Sequence, residues 1–310
     1  MNRRTGFMLA FGSYLMYSMN SPIARQAFLD GMEPNTLLAY RFTIGAVLFH
    51  LTLLFTNLGR AKEGERPLDR SGVLIGVLSG SLNGLAIYFY FHSLDLLPAS
   101  FVSVLGIGAY IVMTITLLTL FGEAFSWVKG ARLVLGITGI WLLIGPSGEI
   151  GSQGVLLLLM GSFLFALHMI SMQWYLSEYN TWAMAAIVVT TTAVLLVGIW
   201  LVQGVQTGSL NFAIPSLWSW IAVIFLAVFS SWIGRFFSYR AISILGTGEL
   251  ALMTPLETLL AITWSVLFLG EWLEQAQWLG AVLIVASVGL VGFKWLLESF
   301  SSRKKVAAAD

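Results

Sequence analysis

The sequence contains no cysteine and few charged residues. Of its 310 residues, 58% are hydrophobic and only 10% are charged, whereas a soluble domain carries about 25% charged residues. The lack of cysteine excludes disulfides and thiolate metal sites. The nucleotide-binding pattern G-x-x-x-x-G-K-[ST] and the hydrolase patterns H-E-x-x-H and G-x-S-x-G are also missing. We therefore predict an integral membrane protein that does not use ATP directly.

Long apolar runs predict the fold class, because a helix needs about 20 apolar residues to cross a bilayer. The connections between the runs are short and leave no room for a soluble domain. The predicted spans are 6–29, 34–57, 71–93, 98–121, 127–145, 153–176, 180–203, 216–241, 247–269 and 275–297. The first run is too long for a removable signal peptide. We predict an all-α integral membrane protein with ten transmembrane helices.

Lysine and arginine set the orientation, because they are enriched on the cytoplasmic side of a membrane. With the N-terminus inside, Arg3 and Arg4 begin the chain in the cytoplasm, and Arg303, Lys304 and Lys305 follow the last span there. The predicted outer loops carry mainly acidic residues. We therefore predict that both termini are cytoplasmic.

Two stretches share one layout, which indicates an internal repeat. Phe91–Glu123 and Tyr239–Glu271 each end in an apolar run followed by Gly-Glu. Lysine and arginine follow the first stretch, but none follows the second directly, so the charge bias is inverted. The prediction is two inverted five-helix repeats, at 1–146 and at 147–310, the second ending in a short cytoplasmic tail.

Corresponding spans of the two halves are interrupted, which in transporters indicates the binding site. Pro255 lacks an amide hydrogen and frees the carbonyl of Ala251 in the ninth span. When the Gly-Glu pairs are aligned, this proline corresponds to the glycine-rich part of the fourth span. Alternatively, the glycines only permit close packing. The predicted hinge residues are Gly106, Gly108, Gly246, Gly248 and Pro255.

Polar and aromatic residues at mid-membrane depth are the candidate substrate-binding residues. They are Tyr17, Asn20, Asn83, Tyr90, Ser103, Tyr110, His168, Met172, Trp232 and Glu257. Asn, Ser and His in spans also join helices by hydrogen bonds, so each has a structural alternative. Glu257 is expected to meet a substrate amine or carry a proton, the alternative being a protonated acid bonded to a neighbouring helix. For Arg41 we predict a structural ion pair.

These stretches resemble the EamA-type domains of the drug/metabolite transporter superfamily. In the second half, the matching residues are Gly246-Thr247-Gly248, Pro255, Leu267–Glu271 and Gln277–Ala281. In the first half, Tyr17–Arg25 is similar to the family pattern Trp-Gly-x-Asn-x-Pro-x-x-Lys, although Tyr-Ser replaces Trp-Gly. Pro34–Arg41 is similar to its second-helix pattern, which ends in Arg. The chain looks nearest to amino-acid exporters, including the YddG-type aromatic amino-acid exporters.

The resemblance implies a secondary transporter that exports small zwitterionic metabolites by alternating access across the bacterial inner membrane. Amino acids, aromatic or of broad range, are the expected substrates. We expect no enzymatic activity, no cofactor and no nucleic-acid partner, and a monomer in contact with substrate and lipid. One alternative is a drug or nucleotide-sugar carrier of the same superfamily, for which an anionic substrate favours Lys or Arg in the cavity. The other is an intramembrane enzyme.

Overall fold

The described part of the chain consists of helices and short connections. The structure, a computed structural model, describes residues 3–56, 68–144, 151–176, 179–208, 214–238, 240–241, 244–245 and 254–290. In the first half the helices are α1 (Arg3–Ser18), α2 (Asn20–Leu29), α3 (Pro34–Phe55), α4 (Arg70–Leu96), α5 (Ala99–Leu120) and α6 (Trp127–Ile144). In the second half they are α7 (Ser152–Leu176), α8 (Thr181–Thr207), α9 (Leu217–Phe225), the π-helix π1 (Leu226–Gly234), α10 (Thr254–Leu269) and α11 (Gln275–Leu290).

Helix length and apolarity confirm a multi-pass membrane protein. Over the described residues, 7 helices are long and apolar enough to cross a membrane. They are Pro34–Phe55, Arg70–Leu96, Ala99–Leu120, Trp127–Ile144, Ser152–Met172, Trp182–Thr207 and Leu217–Ser238. Leu256–Leu269 and Gln275–Leu290 are shorter apolar helices. The number ten remains a prediction, since parts of the predicted ninth and tenth spans lie outside the described residues.

The predicted first span differs from the structure, because it is divided into α1 and α2 at Met19. Pro22 has no amide hydrogen to donate to the Ser18 carbonyl, so one helical hydrogen bond is missing there. The next helical hydrogen bond is present, since the Ile23 amide donates to the Met19 carbonyl at 3.2 Å. The interruption places the polar residues Ser18, Asn20 and Ser21 where two helix ends meet.

Glycines spaced four residues apart bring α4 and α8 close together. Gly72, Gly76, Gly80 and Gly84 face α8 and the residue Tyr179 that precedes it. A Cβ atom on Gly80 would lie 2.7 Å from Thr191 Cβ and 2.9 Å from the Val188 carbonyl oxygen. Small residues at this spacing let helix backbones approach closely in a membrane. The contact holds α4, the central helix of the first half, against the second half.

A second close contact joins α11 to the end of the first half. A Cβ atom on Gly139 would lie 2.8 Å from the Gly280 carbonyl oxygen, and one on Gly280 would lie 2.7 Å from the Gly139 carbonyl oxygen. Nearby, Arg132 Nε donates to the Ser287 carbonyl at 3.0 Å, and Ser287 Oγ donates to the Arg132 carbonyl at 2.9 Å. Small residues therefore fix α6 to α11, as they fix α4 to α8.

The two Gly-Glu pairs of the repeat both end helices. Gly122 has a φ of 96° and Gly270 has a φ of 64°, which is left-handed backbone that glycine adopts without steric cost. The Glu271 carboxylate then accepts hydrogen bonds from the Ser100 amide at 3.0 Å and from Ser100 Oγ at 3.3 Å. This carboxylate caps the first turn of α5, so the end of α10 is tied to the start of α5.

Candidate functional site

A buried arginine lies at the centre of the polar residues inside the membrane. Arg41 is on the second turn of α3 and is only 5% exposed. Its Nε donates to Ser231 Oγ at 2.9 Å, and its Nη2 donates to Ser230 Oγ at 3.2 Å and to Asn20 Oδ1 at 3.0 Å. Its Nη1 is buried and has no hydrogen-bond partner among the described residues. The guanidinium is therefore held on one side and has unused donors on the other.

The guanidinium carbon of Arg41 also lies over two aromatic rings. Its Cζ atom lies 5.0 Å from the ring centroid of Phe42 and 5.2 Å from that of Phe91. Both rings are buried in the largest apolar cluster of the described residues, which has members in both halves of the chain. Stacking of this kind stabilises a cation through the negative face of each ring. Arg41 is thereby fixed in position, with its polar edge left for hydrogen bonds.

The π-helix explains how two adjacent serines reach one guanidinium. Ser230 and Ser231 both lie in π1 and both are buried. A π-helix turns less per residue than an α-helix, so adjacent side chains point in more similar directions. Such helices are rare and occur frequently at functional sites. The span Leu217–Ser238 begins as α9 and continues as π1, and both serines lie in the π1 part.

The ion pair that we predict for Arg41 is wrong for the described part of the chain. No described carboxylate lies within the ion-pair distance of 4.0 Å, and the only partners are hydroxyl and amide oxygens. Arg41 also does not extend to the surface, since its side chain is buried. The physical reason is that the break in the first span and the π-helix supply neutral acceptors at its depth, and neither can be read from the sequence around Arg41.

Tyr90 joins α4 to this site. Its hydroxyl shares a hydrogen bond of 2.6 Å with Ser21 Oγ. It also lies within electrostatic range of both Arg41 and Glu257. A Cβ atom on Gly106 would lie 3.5 Å from the Tyr90 ring, which places the glycine-rich part of α5 beside this tyrosine.

Tyr17 approaches the site from the end of α1. A Cβ atom on Gly234, the last residue of π1, would lie 3.1 Å from Tyr17 Cε1. Tyr17 also interacts electrostatically with Arg41. We use the term central cluster for the residues that α1, α2, α3, α4 and π1 bring together around this arginine. Its members are Tyr17, Asn20, Ser21, Arg41, Tyr90, Ser230 and Ser231.

Glu257 lies on the side of α10 that faces the interrupted first span. Trp264, which is seven residues later and so on the same helix face, donates from Nε1 to Ser18 Oγ at 3.1 Å. The helix itself contacts α1, α2 and α5. No described residue forms a hydrogen bond with the Glu257 carboxyl group. Its expected role in binding an amine or carrying a proton remains a prediction.

His168 and Asn83 lie at helix–helix contacts of α4, apart from the central cluster. His168 Nδ1 is 2.8 Å from Ser79 Oγ and 3.0 Å from the Ser79 carbonyl oxygen. Asn83 Nδ2 donates to Thr192 Oγ1 at 3.0 Å, and this hydroxyl donates to the Gly80 carbonyl at 3.0 Å. These bonds are of the type expected for the structural alternative, in which polar residues join helices. A role in substrate binding remains a prediction for both residues.

Three other candidates lie in separate aromatic or apolar clusters. The Tyr110 ring is 5.3 Å from that of Phe165, which in turn is 5.7 Å from the ring of His168. Met172 packs with Tyr179, Met184 and Val188. Trp232 Nε1 donates to Thr52 Oγ1 at 2.7 Å, and its ring packs with Phe49 and Trp182. The structure therefore does not bring these three residues into the central cluster.

The remaining candidates concern the interrupted helices. Ser103 Oγ donates to the Ala99 carbonyl at 2.8 Å, and Ser103 is close enough to influence the Tyr90 hydroxyl. Gly108 provides close packing, because a Cβ atom there would lie 2.7 Å from Ile284 Cδ1. Pro255 is in the first turn of α10 as described. Gly246 and Gly248 lie outside the described residues, so the hinge remains a prediction.

Sequence reasoning found Tyr17, Asn20 and Tyr90 but missed most of the polar groups around them. Ser230 and Ser231 gave one weak signal, namely two adjacent hydroxyl residues in an otherwise apolar run. Over the described residues, no group of three or more His, Asp or Glu side chains is placed to hold a metal ion.

Comparison with known proteins identifies a repeated family domain. A profile of the EamA-like transporter family matches residues 4–145 and again residues 152–293. A solved crystal structure aligns with 94% of this chain and 98% of its own, with a TM-score of 0.60 and 17% sequence identity. At this identity the structural match supports the fold alone. No significant similarity to a curated protein was found.

Proposed function

Because this chain belongs to the EamA-like transporter family, we propose that it exports small zwitterionic metabolites by alternating access, with amino acids as the substrate class. Membrane transport follows from the family. Aromatic amino acids, the substrates of the YddG-type exporters that the sequence resembles, are the first to test. The proposal places the protein in a bacterial inner membrane as a monomer of ten helices, with both termini in the cytoplasm.

The central cluster is the observation that supports this proposal most strongly. It gathers one cation, one amide and several hydroxyl groups from five helices inside the membrane, where unpaired polar groups are costly. It lies beside the break in the first span and on a π-helix. Interrupted helices near the midplane are where secondary transporters bind their substrates.

Glu257 supplies the second charge that a zwitterionic substrate needs. The acid lies within electrostatic range of Tyr90, and so does Arg41, which carries the opposite charge. In this proposal the carboxyl group either binds the substrate amine or releases a proton when the cavity fills with water. Both roles require Glu257 to lie next to the transport pathway. An acid with only a structural role has no such requirement.

The interrupted helices provide the means of alternating access. Weak points in two spans related by the inverted repeat would let their inner or outer halves move while the centre stays in place. The capping of α5 by Glu271 ties two of these helices together at the predicted outer end. Opening toward the outside requires that this contact be broken, while opening toward the cytoplasm does not.

A carrier for nucleotide sugars or other phosphorylated substrates is the second candidate. The observation that favours it is the buried Arg41, because phosphate groups bind well to a guanidinium. Glu257 argues against it, since a carboxylate near the same site repels a polyanion. A zwitterion satisfies both charges, and for that reason we rank amino acids first.

Counterflow in proteoliposomes tests the proposed function. Liposomes with the purified protein are loaded with one unlabelled compound, and uptake of a labelled compound is measured against empty liposomes. We expect counterflow with one or more amino acids, and the compound recovered unchanged. Counterflow with nucleotide sugars alone would support the second candidate, and chemical conversion of the compound would indicate an enzyme.

A further inference from the structure

We infer that Arg41 binds the carboxylate group of the transported substrate. This inference rests on the proposed function, because it assigns part of the substrate to one residue of the central cluster. It makes Arg41 a specificity-determining residue that selects compounds with a carboxylate. The first observation is the free polar edge of the guanidinium. Nη1 carries two N–H donors, is buried, and has no acceptor among the described residues.

The second observation is the missing counter-charge. Every described acceptor around Arg41 is a neutral side-chain oxygen, from Asn20, Ser230 or Ser231. Arg235 adds a second positive charge within electrostatic range. A buried charge without a partner is costly in a membrane protein, and such residues usually contact a substrate or a water-filled path. The Arg41 guanidinium therefore has no described counter-charge in contact with it, and an anionic group of the substrate would supply one.

The third observation is the rigid position of the guanidinium. Three hydrogen bonds fix its Nε and Nη2 side, and its Cζ atom lies over two aromatic rings. A carboxylate can therefore reach it at the Nη1 edge, where planar, charge-assisted hydrogen bonds form with little loss of side-chain freedom. The Tyr90 hydroxyl, which is bonded to Ser21, lies within electrostatic range of the same guanidinium.

Two other arginines within helices have main-chain acceptors, although Arg25 Nε, like Arg41 Nη1, is buried without a described partner. Arg25 Nη1 donates to the carbonyls of Leu94 and Asp95, at the end of α4, where the helix dipole is negative. Arg132 Nε donates to the Ser287 carbonyl. Both arginines are thus bonded to main-chain oxygens, and Arg41 has none of these contacts. Arg25 is the matched control, because it is close in sequence to the central cluster but is bonded to carbonyls.

Ligand binding to purified protein tests the inference, with thermal stability in detergent as the readout. The probes are phenylalanine, phenylalanine amide, phenethylamine and 3-phenylpropionate, which share a ring but differ in charge. The parent is expected to be stabilised by the two carboxylates and not by the amide or the amine. Arg41→Gln should weaken carboxylate binding by about 30-fold, as expected when one partner of a buried charge pair is removed. Arg25→Gln should bind like the parent.

Two further variants separate binding from folding. Arg41→Lys keeps the charge but loses the planar fork, so we expect about tenfold weaker binding. Ser231→Ala keeps the arginine and loosens its support, so it should weaken binding less than Arg41→Gln does. The inference is overturned if the parent binds phenylalanine amide as tightly as phenylalanine, or if a folded Arg41→Lys protein binds phenylalanine as tightly as the parent does.

If the proposed function is wrong, the binding experiment gives a different outcome from the one that overturns the inference. If the parent binds none of the four phenyl compounds, acetate and inorganic phosphate are tested in the same way. Stabilisation of the parent by acetate, absent in Arg41→Lys, would keep the carboxylate site while removing aromatic amino acids as substrates. Stabilisation by phosphate alone would favour the phosphorylated-substrate carrier. No stabilisation by any anion would overturn the inference.

Discussion

Individual polar residues in the membrane have two kinds of surroundings. Those of the central cluster meet one another around a cation whose Nη1 has no described partner. Those at the contacts of α4 with α7 and α8 are paired residue by residue, as Asn83 is with Thr192 and His168 with Ser79. Paired residues fix the distance between two helices, whereas the central cluster has hydrogen-bonding capacity to spare. This difference is the reason for placing substrate binding at the cluster.

Replacing Asn83, His168 or Trp232 with Ala is predicted to reduce transport while the protein stays inserted. Each change leaves a hydrogen-bond partner unpaired across a helix contact, at an expected cost of about 0.6 kcal/mol per bond. Counterflow and thermal stability are measured together. Ser81→Ala is the matched control, because this hydroxyl bonds only to its own helix, at the Val77 carbonyl. Normal transport by all three variants would show that none of these residues contributes to the pathway.

Glu257→Gln is predicted to reduce export and to flatten its dependence on pH. The change keeps the shape of the side chain but removes both its charge and its titration, so a role in amine binding or proton transfer is lost. Transport is measured over a range of pH values for the variant and the parent. If Glu257→Gln matches the parent at each pH and Pro255→Ala is equally without effect, α10 is only scaffold.

The sequence could predict which polar residues lie at mid-membrane depth, but not which neighbours they meet. Tyr17, Asn20 and Tyr90 were found because polar and aromatic groups at mid-membrane depth need a partner. Among the described residues the ion pair for Arg41 is wrong, because its acceptors come from α2 and π1, far apart in the sequence. Ser230 and Ser231 were missed because a π-helix changes the direction of side chains without a sequence signal.

Among the helices, spaced glycines bring parts of the two halves close together. Gly72, Gly76, Gly80 and Gly84 lie on one face of α4 and let α8 approach to contact distance. The same device joins α6 to α11 through Gly139 and Gly280. In lipid, helices gain little from burying apolar surface, so close contact of this kind is what holds them together.

Gly80→Ala is predicted to destabilise the protein by about 1–3 kcal/mol, the usual cost of overpacking. The new methyl group would meet the Val188 carbonyl oxygen at 2.9 Å, so α4 and α8 must move apart. Gly198→Ala is the matched control, because nothing lies within 4 Å of a Cβ atom there. Thermal unfolding in detergent compares the two variants. Equal stability of both would mean that the α4–α8 contact is looser than described.

Apolar runs in the sequence predict where the helices are, but they do not predict where a helix is interrupted. The spans that start at residues 34, 71, 98, 127, 153, 180 and 216 correspond to the seven long apolar helices of the structure. The break at Met19 and the π-helix in the span Leu217–Ser238 depend on hydrogen bonds rather than on hydropathy. Both interruptions contribute residues to the central cluster, so the errors in the fold prediction fall where the site is.

The chain consists of two family repeats, and its described helices join them through contacts that include α4 with α7 and α8, α3 with α8, α5 with α7 and α6 with α11. An inverted relation between repeats of five helices requires that both termini lie on the same side of the membrane. We predict that a reporter fused after Asp310 behaves as a cytoplasmic protein, as does one fused to the N-terminus. A periplasmic signal from the C-terminal fusion would show an odd number of spans and would contradict the inverted repeat.

The lack of cysteine makes one measurement especially direct, because a single engineered thiol can report on the site. Ser230→Cys places that thiol against Arg41, and Ser287→Cys places a control in the buried contact of α6 with α11. Both proteins, in proteoliposomes, are treated with a membrane-impermeant maleimide, with and without the amino acid that gives the fastest counterflow. If the central cluster binds substrate on an alternating-access pathway, Ser230→Cys reacts, loses transport on reaction and is protected by substrate, while Ser287→Cys does not react. A Ser230→Cys thiol that never reacts, or that reacts equally fast with and without substrate, would contradict this assignment.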